Sequence, residues 1–259
     1  MQDRLKTAII QSDLIWEEPE KNRSNFTKKI ELLKEPKDLI VLPEMFTSGF
    51  TMQPECVYEL MGGKSITWMK QIAKVYDTAI CGSLVIKDNS NFFNRFVFVT
   101  SNGHVEYYDK RHTFSLAGEH KSYTSGSNRV IINYKGWKIM PQICYDLRFP
   151  VWSRNVYGYD LLIYVANWPT PRINAWDALL KARAIENMSY CIGVNRIGLD
   201  NNKHKYPGHS AIYNGLGDQI TQNISNLEHT EIVVLEKPHL EAIRHRFKFL
   251  NDQDDFILK

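Results

Sequence analysis

Three short apolar runs in this chain each end on a side chain able to do acyl-transfer chemistry. Glu44 follows Asp38-Leu-Ile-Val-Leu-Pro, Lys110 follows Val105-Glu-Tyr-Tyr-Asp, and Cys144 follows Trp137-Lys-Ile-Met-Pro-Gln-Ile. A base, a cation and a soft nucleophile at the ends of neighbouring strands would share one pocket. Cysteine attacks as the thiolate, and a free thiol with a pKa of about 8.5 is only a few per cent ionised at neutral pH. No histidine is tied to Cys144 by the pattern, so the base role falls to a carboxylate, and Glu44 leaves a buried strand. Lys110 would offset the charge and donate to an oxyanion. Each residue also has a plain structural reading, as a satisfied carboxylate, a solvated lysine or a packed thiol; the coincidence of all three favours chemistry.

The elements that must hold these groups are legible in outline. Residues 7–11 read as an apolar strand, and Glu18-Pro-Glu opens a helix with proline in its first turn and acidic residues at the positive end of the dipole. Phe26, Ile30 and Leu33 then share a face. Residues 38–42 suit a strand buried on both sides, and Pro43, lacking an N–H, marks its end. Helical spacing predicts a helix over 65–76, followed by strands over 79–86, 92–100 and 104–108, the last two joined by the turn Ser101-Asn-Gly. Residues 112–127 have no clean period and read as a long loop over the strand ends. A hairpin of 129–133 and 137–143 leads to Cys144. Beyond it come a short helix near 150–155, a buried strand over 161–166, a helix over 176–187 and a strand over 190–197. A hairpin of 209–213 and 218–221 turns at Asn214-Gly, and a strand over 231–235 precedes a helix over 238–247. Strands alternating with helices, interrupted by antiparallel hairpins, imply an α/β protein with mixed sheets and outer helices.

Composition narrows the class. With 259 residues, 43% hydrophobic and 24% charged, the chain suits one large domain burying roughly three quarters of its unfolded surface. The net charge of +3 arises from 32 basic and 29 acidic residues without a basic block, which argues against nucleic acid as a partner. No apolar stretch approaches the roughly 18 residues of a membrane span, and Met1-Gln-Asp-Arg-Leu-Lys lacks the apolar core of a signal peptide, so a cytoplasmic protein without a membrane partner is expected. The four cysteines form no C-x-x-C pair, which points to neither a zinc knuckle nor a disulfide framework. Cys81 and Cys191 read as core residues and Cys56 as a bystander near the surface; only Cys144 stands at an apolar-to-polar boundary beside a charged cluster.

Leu42-Pro-Glu-Met-Phe, Asp109-Lys-Arg-His-Thr-Phe and Ile143-Cys-Tyr-Asp-Leu-Arg-Phe-Pro resemble, in order, the three signature segments of the carbon–nitrogen hydrolase (nitrilase) superfamily. Ala166-Asn-Trp-Pro, Arg172, Trp176, Leu179-Leu-Lys-Ala-Arg-Ala-Ile-Glu-Asn and Arg246-Phe-Lys-Phe-Leu-Asn-Asp extend the resemblance to the omega-amidase branch, whose members hydrolyse the terminal amide of 2-oxo acids such as 2-oxoglutaramate. It runs from about residue 4 to the C-terminus. It implies a single domain over 1–259, a four-layer α-β-β-α sandwich of two mixed sheets that commonly pairs into a homodimer. By resemblance Glu44 is the general base, Lys110 the oxyanion stabiliser and Cys144 the nucleophile. Glu119 maps to a second carboxylate through Glu119-His-Lys-Ser-Tyr-Thr-Ser-Gly. No metal or organic cofactor is implied. Met45 and Lys248 depart from what many relatives carry, and neither touches the implied chemistry.

The implied substrate is a small amide with a free carboxylate. Arg148, four residues beyond Cys144, is the first candidate to bind it, against a structural ion pair with Asp146; Arg172 is the weaker alternative. The backbone N–H of Tyr145 would join Lys110 on the oxyanion, and Phe46, Phe114 and Trp168 are expected to wall the pocket. Two rivals stand beside this reading. His104, Asp109, His112, Glu119 and His120, with Asp200, His204 and His209, could suit a metal-dependent hydrolase but lack a ligand spacing such as H-E-x-x-H. A catalytically silent binding protein is the other. Within the family, carbamoyl-amino-acid hydrolase and nitrilase compete with omega-amidase, and the shared residues do not separate them.

Overall fold

A computed structural model describes residues 2–258. In chain order the elements are β1 (Arg4–Gln11), α1 (Pro19–Leu32), β2 (Leu39–Val41), α2 (Lys64–Val75), β3 (Ala79–Asp88), β4 (Asn91–Val99), β5 (Val105–Asp109), α3 (Glu119–Ser122), β6 (Ile132–Tyr134), β7 (Trp137–Ile143), α4 (Pro150–Ser153), β8 (Leu161–Ala166), α5 (Ile173–Asn187), β9 (Tyr190–Asn195), β10 (Ile197–Leu199), β11 (Lys205–Pro207), β12 (Ala211–Tyr213), β13 (His229–Glu236) and α6 (Lys237–Phe247). Strands β13-β1-β2-β3-β4-β5 make one mixed sheet and β12-β9-β8-β7-β6 a second.

The period of two along each strand decides the layering, because alternate side chains leave opposite faces. Leu5, Ile9, Leu39, Val41, Phe96 and Phe98 of the first sheet meet Ile139, Ile143, Leu161, Ile163, Val165 and Ile192 of the second in one core between the sheets. The other face of the first sheet, with Ala8, Ile10, Ile40, Ile80 and Val97, receives Phe26 and Ile30 of α1 and Ile66 and Met69 of α2. On the second sheet Leu162, Tyr164 and Ala166 receive Trp176, Leu180 and Ala184 of α5. Three apolar cores thus separate four layers, α-β-β-α. Strands β2 and β8 are buried throughout because they have a neighbour on each side and a layer on each face.

Strands β1, β2 and β3 run parallel, and β3-β4-β5 form an antiparallel meander, so β5 points the same way as β2. In the second sheet β7, β8 and β9 are parallel. The residues after β2, β5, β7 and β8 therefore emerge from the C-terminal ends of strands, where this chain places its polar groups.

Several expected elements differ. The strand over 190–197 breaks at Arg196, because the Asn195 side chain accepts the N–H of Arg196 at 3.0 Å and that of Trp168 at 2.7 Å. The chain then forms a separate hairpin, β10-β11. The strand over 218–221 is reduced to one bridge, Tyr213 to Gln219, since Asn214 takes the N–H groups of Leu216 and Asp218 into a tight turn. The first arm of the hairpin before Cys144 starts only at Ile132, and the loop over 112–127 contains the single turn α3. Among the described residues no helix is long and apolar enough to cross a membrane.

Gly126 lies against the end of β5: a Cβ there would stand 2.2 Å from the main-chain O of Asp109. Its own N–H meets the carbonyl of Lys110 at 2.8 Å. Backbone cannot yield as a side chain can, so Gly126→Ala is expected to destabilise the fold by about 1–3 kcal/mol, as overpacking does. Urea denaturation checks this, and an unchanged midpoint would show that β5 and this loop are not held in register here.

Candidate active site

Glu44 leaves β2 through Leu42 and Pro43 and is fully buried. Its carboxylate accepts the Lys110 ammonium at 2.9 Å and the Asn94 amide at 2.8 Å on Oε1, and the Asn167 backbone N–H at 2.8 Å on Oε2. Lys110, directly after β5, also donates to both oxygens of Glu119 at 3.0 and 2.9 Å. Glu119 opens α3 and takes the N–H of Phe114. Asn94, in the middle of β4, reaches Glu119 at 3.3 Å and is itself oriented by the Ser83 hydroxyl at 2.8 Å. One ammonium thus lies between two carboxylates, all three out of solvent.

Moving an ion from water into such an interior costs several kcal/mol unless partners compensate. Burial alone would push the Lys110 pKa down, but the charges of Glu119 and Glu44 outweigh it and hold the ammonium's pKa above its ordinary value. Burial raises the pKa of Glu119; the lysine opposes this and the nearby charge of Glu44 reinforces it. Two carboxyl groups thus share a single cation.

Cys144 arrives from the other sheet. It ends β7 and begins a 3-10 turn, Cys144–Arg148, with φ at +45°, a left-handed conformation costing a non-glycine residue roughly 1–2 kcal/mol. The turn is held by Asp146, whose buried carboxylate accepts the N–H of Ile143 at 3.0 Å, the Tyr108 hydroxyl at 2.8 Å and the N–H of His112 at 2.9 Å. Tyr108 is in β5 and His112 follows Lys110, so one carboxylate ties the thiol's turn to the lysine's strand. Asn167, just after β8, makes the second tie: its side chain donates to the Glu44 carbonyl at 2.7 Å, and its own carbonyl faces Cys144 Sγ at 4.0 Å. Burial, then the charge of Glu44, push the Cys144 thiol well above its ordinary pKa, although the Lys110 ammonium pulls the other way. The balance disfavours the thiolate.

A cavity of about 290 Å³ opens on Cys144 and Asn167. Tyr145, Phe114 and Trp168 line it as expected from the sequence, and so does Arg148. Arg148 does not pair with Asp146, which is occupied by other donors; its guanidinium stacks over Trp168 at 5.0 Å. Arg172 lies over Phe114 at 5.1 Å on the same cavity. Phe46 is a correction: it packs fully buried between Phe26 and Trp68 under the first sheet, with Gly82 pressed against it, and does not line this cavity. The wall expected of it is made by Phe50 and Met52. The histidines and carboxylates that could suggest a metal are engaged separately, Asp109 by Arg95, His112 by Asp146, His204 by Asp200 and His209 by Asp177.

Three contributors are missing from the sequence reading. Asn94 left a trace, an asparagine next to Arg95 in a strand otherwise rich in Phe and Val, where it is disfavoured unless bonded. Asn167 stood inside a recognised segment without a role. The hairpin β10-β11 brings Asp200, Asn202, His204 and Tyr206 to the cavity across some 60 residues of sequence, and no local pattern signals that.

A four-layer sandwich with a buried Glu-Lys-Glu cluster beside a strained thiol matches a known class. The carbon-nitrogen hydrolase family model covers residues 6–244, and the chain belongs to that family. It is 42% identical over 254 residues, 98% of each chain, to the omega-amidase YafV of Yersinia enterocolitica and likewise to that of Escherichia coli K12. The 2-oxoglutaramate amidase of Bacillus subtilis is 32% identical over 81% of this chain and 83% of its own. Among solved structures, XC1258 from Xanthomonas campestris, a CN-hydrolase superfamily protein with an arsenic adduct in its active site, superposes with a TM-score of 0.97 at 38% identity, with all of both chains covered.

The raised thiol gives a pH signature. Alkylation of Cys144 by iodoacetamide, followed by peptide mass, is expected to be still accelerating at pH 9, because the thiolate fraction keeps growing toward a pKa above that value. A plateau near neutral pH would instead mean a preformed thiolate.

Proposed function

We propose that this protein is an amidase that hydrolyses the terminal amide of a small 2-oxo dicarboxylic acid monoamide, of the 2-oxoglutaramate or 2-oxosuccinamate type, to the acid and ammonia. The observation that carries the reading is the buried cluster of Glu44, Lys110 and Glu119, whose charges act on Cys144, with Cys144 itself lining a cavity that bears two stacked guanidiniums. The kinship with omega-amidases over almost the whole chain supports the substrate class.

Because the thiolate is disfavoured, Glu44 takes the thiol's proton as sulfur attacks the amide carbon. The electron pair displaced onto oxygen is met by the Lys110 ammonium and the backbone N–H of Tyr145, at the start of a turn where N–H groups lack intrahelical partners. Glu119 keeps the lysine charged and aimed. Collapse of the adduct re-forms the carbonyl, breaks the C–N bond and sends the proton held by Glu44 to nitrogen, which leaves as ammonia. Water then attacks the thioester, Glu44 again accepting the proton, and the acid departs as the thiol is restored. Proton transfer comes from side chains throughout, and charge stabilisation from Lys110 together with one backbone N–H. Arg148, with Arg172 beside it, offers a planar fork to the substrate's free carboxylate.

Ammonia release is expected from 2-oxo acid monoamides above carbamoyl amino acids and nitriles; a preference for a nitrile would overturn the assignment. Cys144→Ala should abolish turnover and leave the fold intact, and Glu44→Gln should lower kcat by a hundredfold or more, on the order expected for general base catalysis; near-wild-type rates in either would remove that residue from its role. Arg148→Met should lower kcat/KM about 10- to 100-fold for the 2-oxo acid amide, the loss of one charged hydrogen bond, and much less for a neutral amide of equal size. Equal losses on both would show that Arg148 does not read the carboxylate.

A further inference from the structure

Asn167 spends its donors on one partner. Its backbone N–H meets Glu44 Oε2 at 2.8 Å, and Nδ2 meets the Glu44 carbonyl at 2.7 Å and Oε2 at 3.3 Å. A carbonyl and a carboxylate both accept, so the side-chain amide can be oriented only with nitrogen toward Glu44. That leaves Oδ1. It is buried and has no hydrogen-bond partner among the described residues, although Asn167 lines the cavity and is only 5% exposed. An unpaired buried acceptor is costly, and such atoms in native proteins ask for a donor.

The surrounding groups say which donor. In the adduct, sulfur, oxygen and nitrogen all hang on one carbon. Sulfur comes from Cys144, whose Sγ faces the Asn167 carbonyl at 4.0 Å, and the oxyanion is drawn to Lys110. Nitrogen must stand where Glu44 can protonate it, and Glu44 Oε2 is the oxygen that Asn167 holds. We propose that Asn167 Oδ1 is the leaving-group subsite of this cavity: it accepts a hydrogen bond from the –NH2 of a bound primary amide and keeps it until ammonia departs.

The inference rests on the amidase reading above and adds to it a reason for choosing amides. A primary amide brings two N–H donors, of which Oδ1 takes one. When the C–N bond breaks, its electron pair goes to nitrogen, the proton held by Glu44 joins it, and the resulting ammonia still donates to Oδ1. The water that follows has the same two capacities, one O–H for Oδ1 and one proton for Glu44. A nitrile nitrogen and an ester oxygen carry no hydrogen, so they leave Oδ1 unpaired. Sites built to bond a substrate N–H discriminate strongly against analogues that lack it.

The test sets a 2-oxo acid monoamide against its methyl ester in the wild-type protein and in Asn167→Ala, with kcat/KM read from ammonia and from methanol release. This parameter reports steps up to departure of the leaving group, before water enters. The amide is expected to lose at least tenfold more than the ester. Equal losses would mean that Asn167 acts only by positioning Glu44, which overturns the subsite. Should the variant not fold, the wild-type protein decides: the amide is expected to be turned over faster than the intrinsically more labile ester, and the reverse order overturns the proposal. Absence of ammonia release from every amide would instead strike the amidase reading itself.

Discussion

An ammonium held out of water between two carboxylates is the constraint around which this molecule is arranged. Lys110 could not be buried alone, nor could Glu44 and Glu119 lie so close without a cation between them, because each charge taken from water costs several kcal/mol. The three come from the ends of β2 and β5 and from α3, so the cluster exists only if those elements are in register. Asn94 donates to both carboxylates from β4, and the Ser83 hydroxyl on β3 donates to Asn94 and so orients it. This accounts for polar residues inside strands that otherwise pack as pure core.

The second sheet contributes the sulfur, and two contacts fix where it stands. Asp146 binds the turn of Cys144 to Tyr108 and His112, and Asn167 binds the end of β8 to Glu44. Both bridge the sheets at the C-terminal ends of their strands. The left-handed backbone at Cys144 is maintained by these ties rather than by local preference, and it turns the thiol out of the inter-sheet core toward the cavity. Burial and the neighbouring negative charge of Glu44 disfavour its thiolate.

Cavity chemistry follows the same economy of placement. The arginines stacked on Trp168 and Phe114 have no carboxylate partner among the described residues, so the aromatic rings rather than ion pairs hold their guanidiniums at the cavity. Apolar walls from Phe50 and Met52 stand on the opposite element, after Glu44.

The order of elements, the layering and the chemistry-bearing residues were readable from the chain, because each is written in local terms: alternation along strands, proline and glycine at turns, and short segments around Glu44, Lys110 and Cys144. Phe46 marks the boundary of such reading. It stands two residues from Glu44, yet a reversal at Met45, whose φ is +45°, sends the two side chains apart, one to the site and one to the outer core. Sequence proximity does not encode direction once the backbone leaves a regular element. Asn94, Asn167 and the β10-β11 hairpin lie 50, 123 and more than 150 residues from Glu44 along the chain, and their part is set by which strands pair and which loops meet. The sequence by itself determined which functional groups are available and roughly where strands present them. Only the tertiary structure decided which of them touch, because hydrogen bonds act over about 3 Å and that range is reached by packing two sheets together, not by any local pattern.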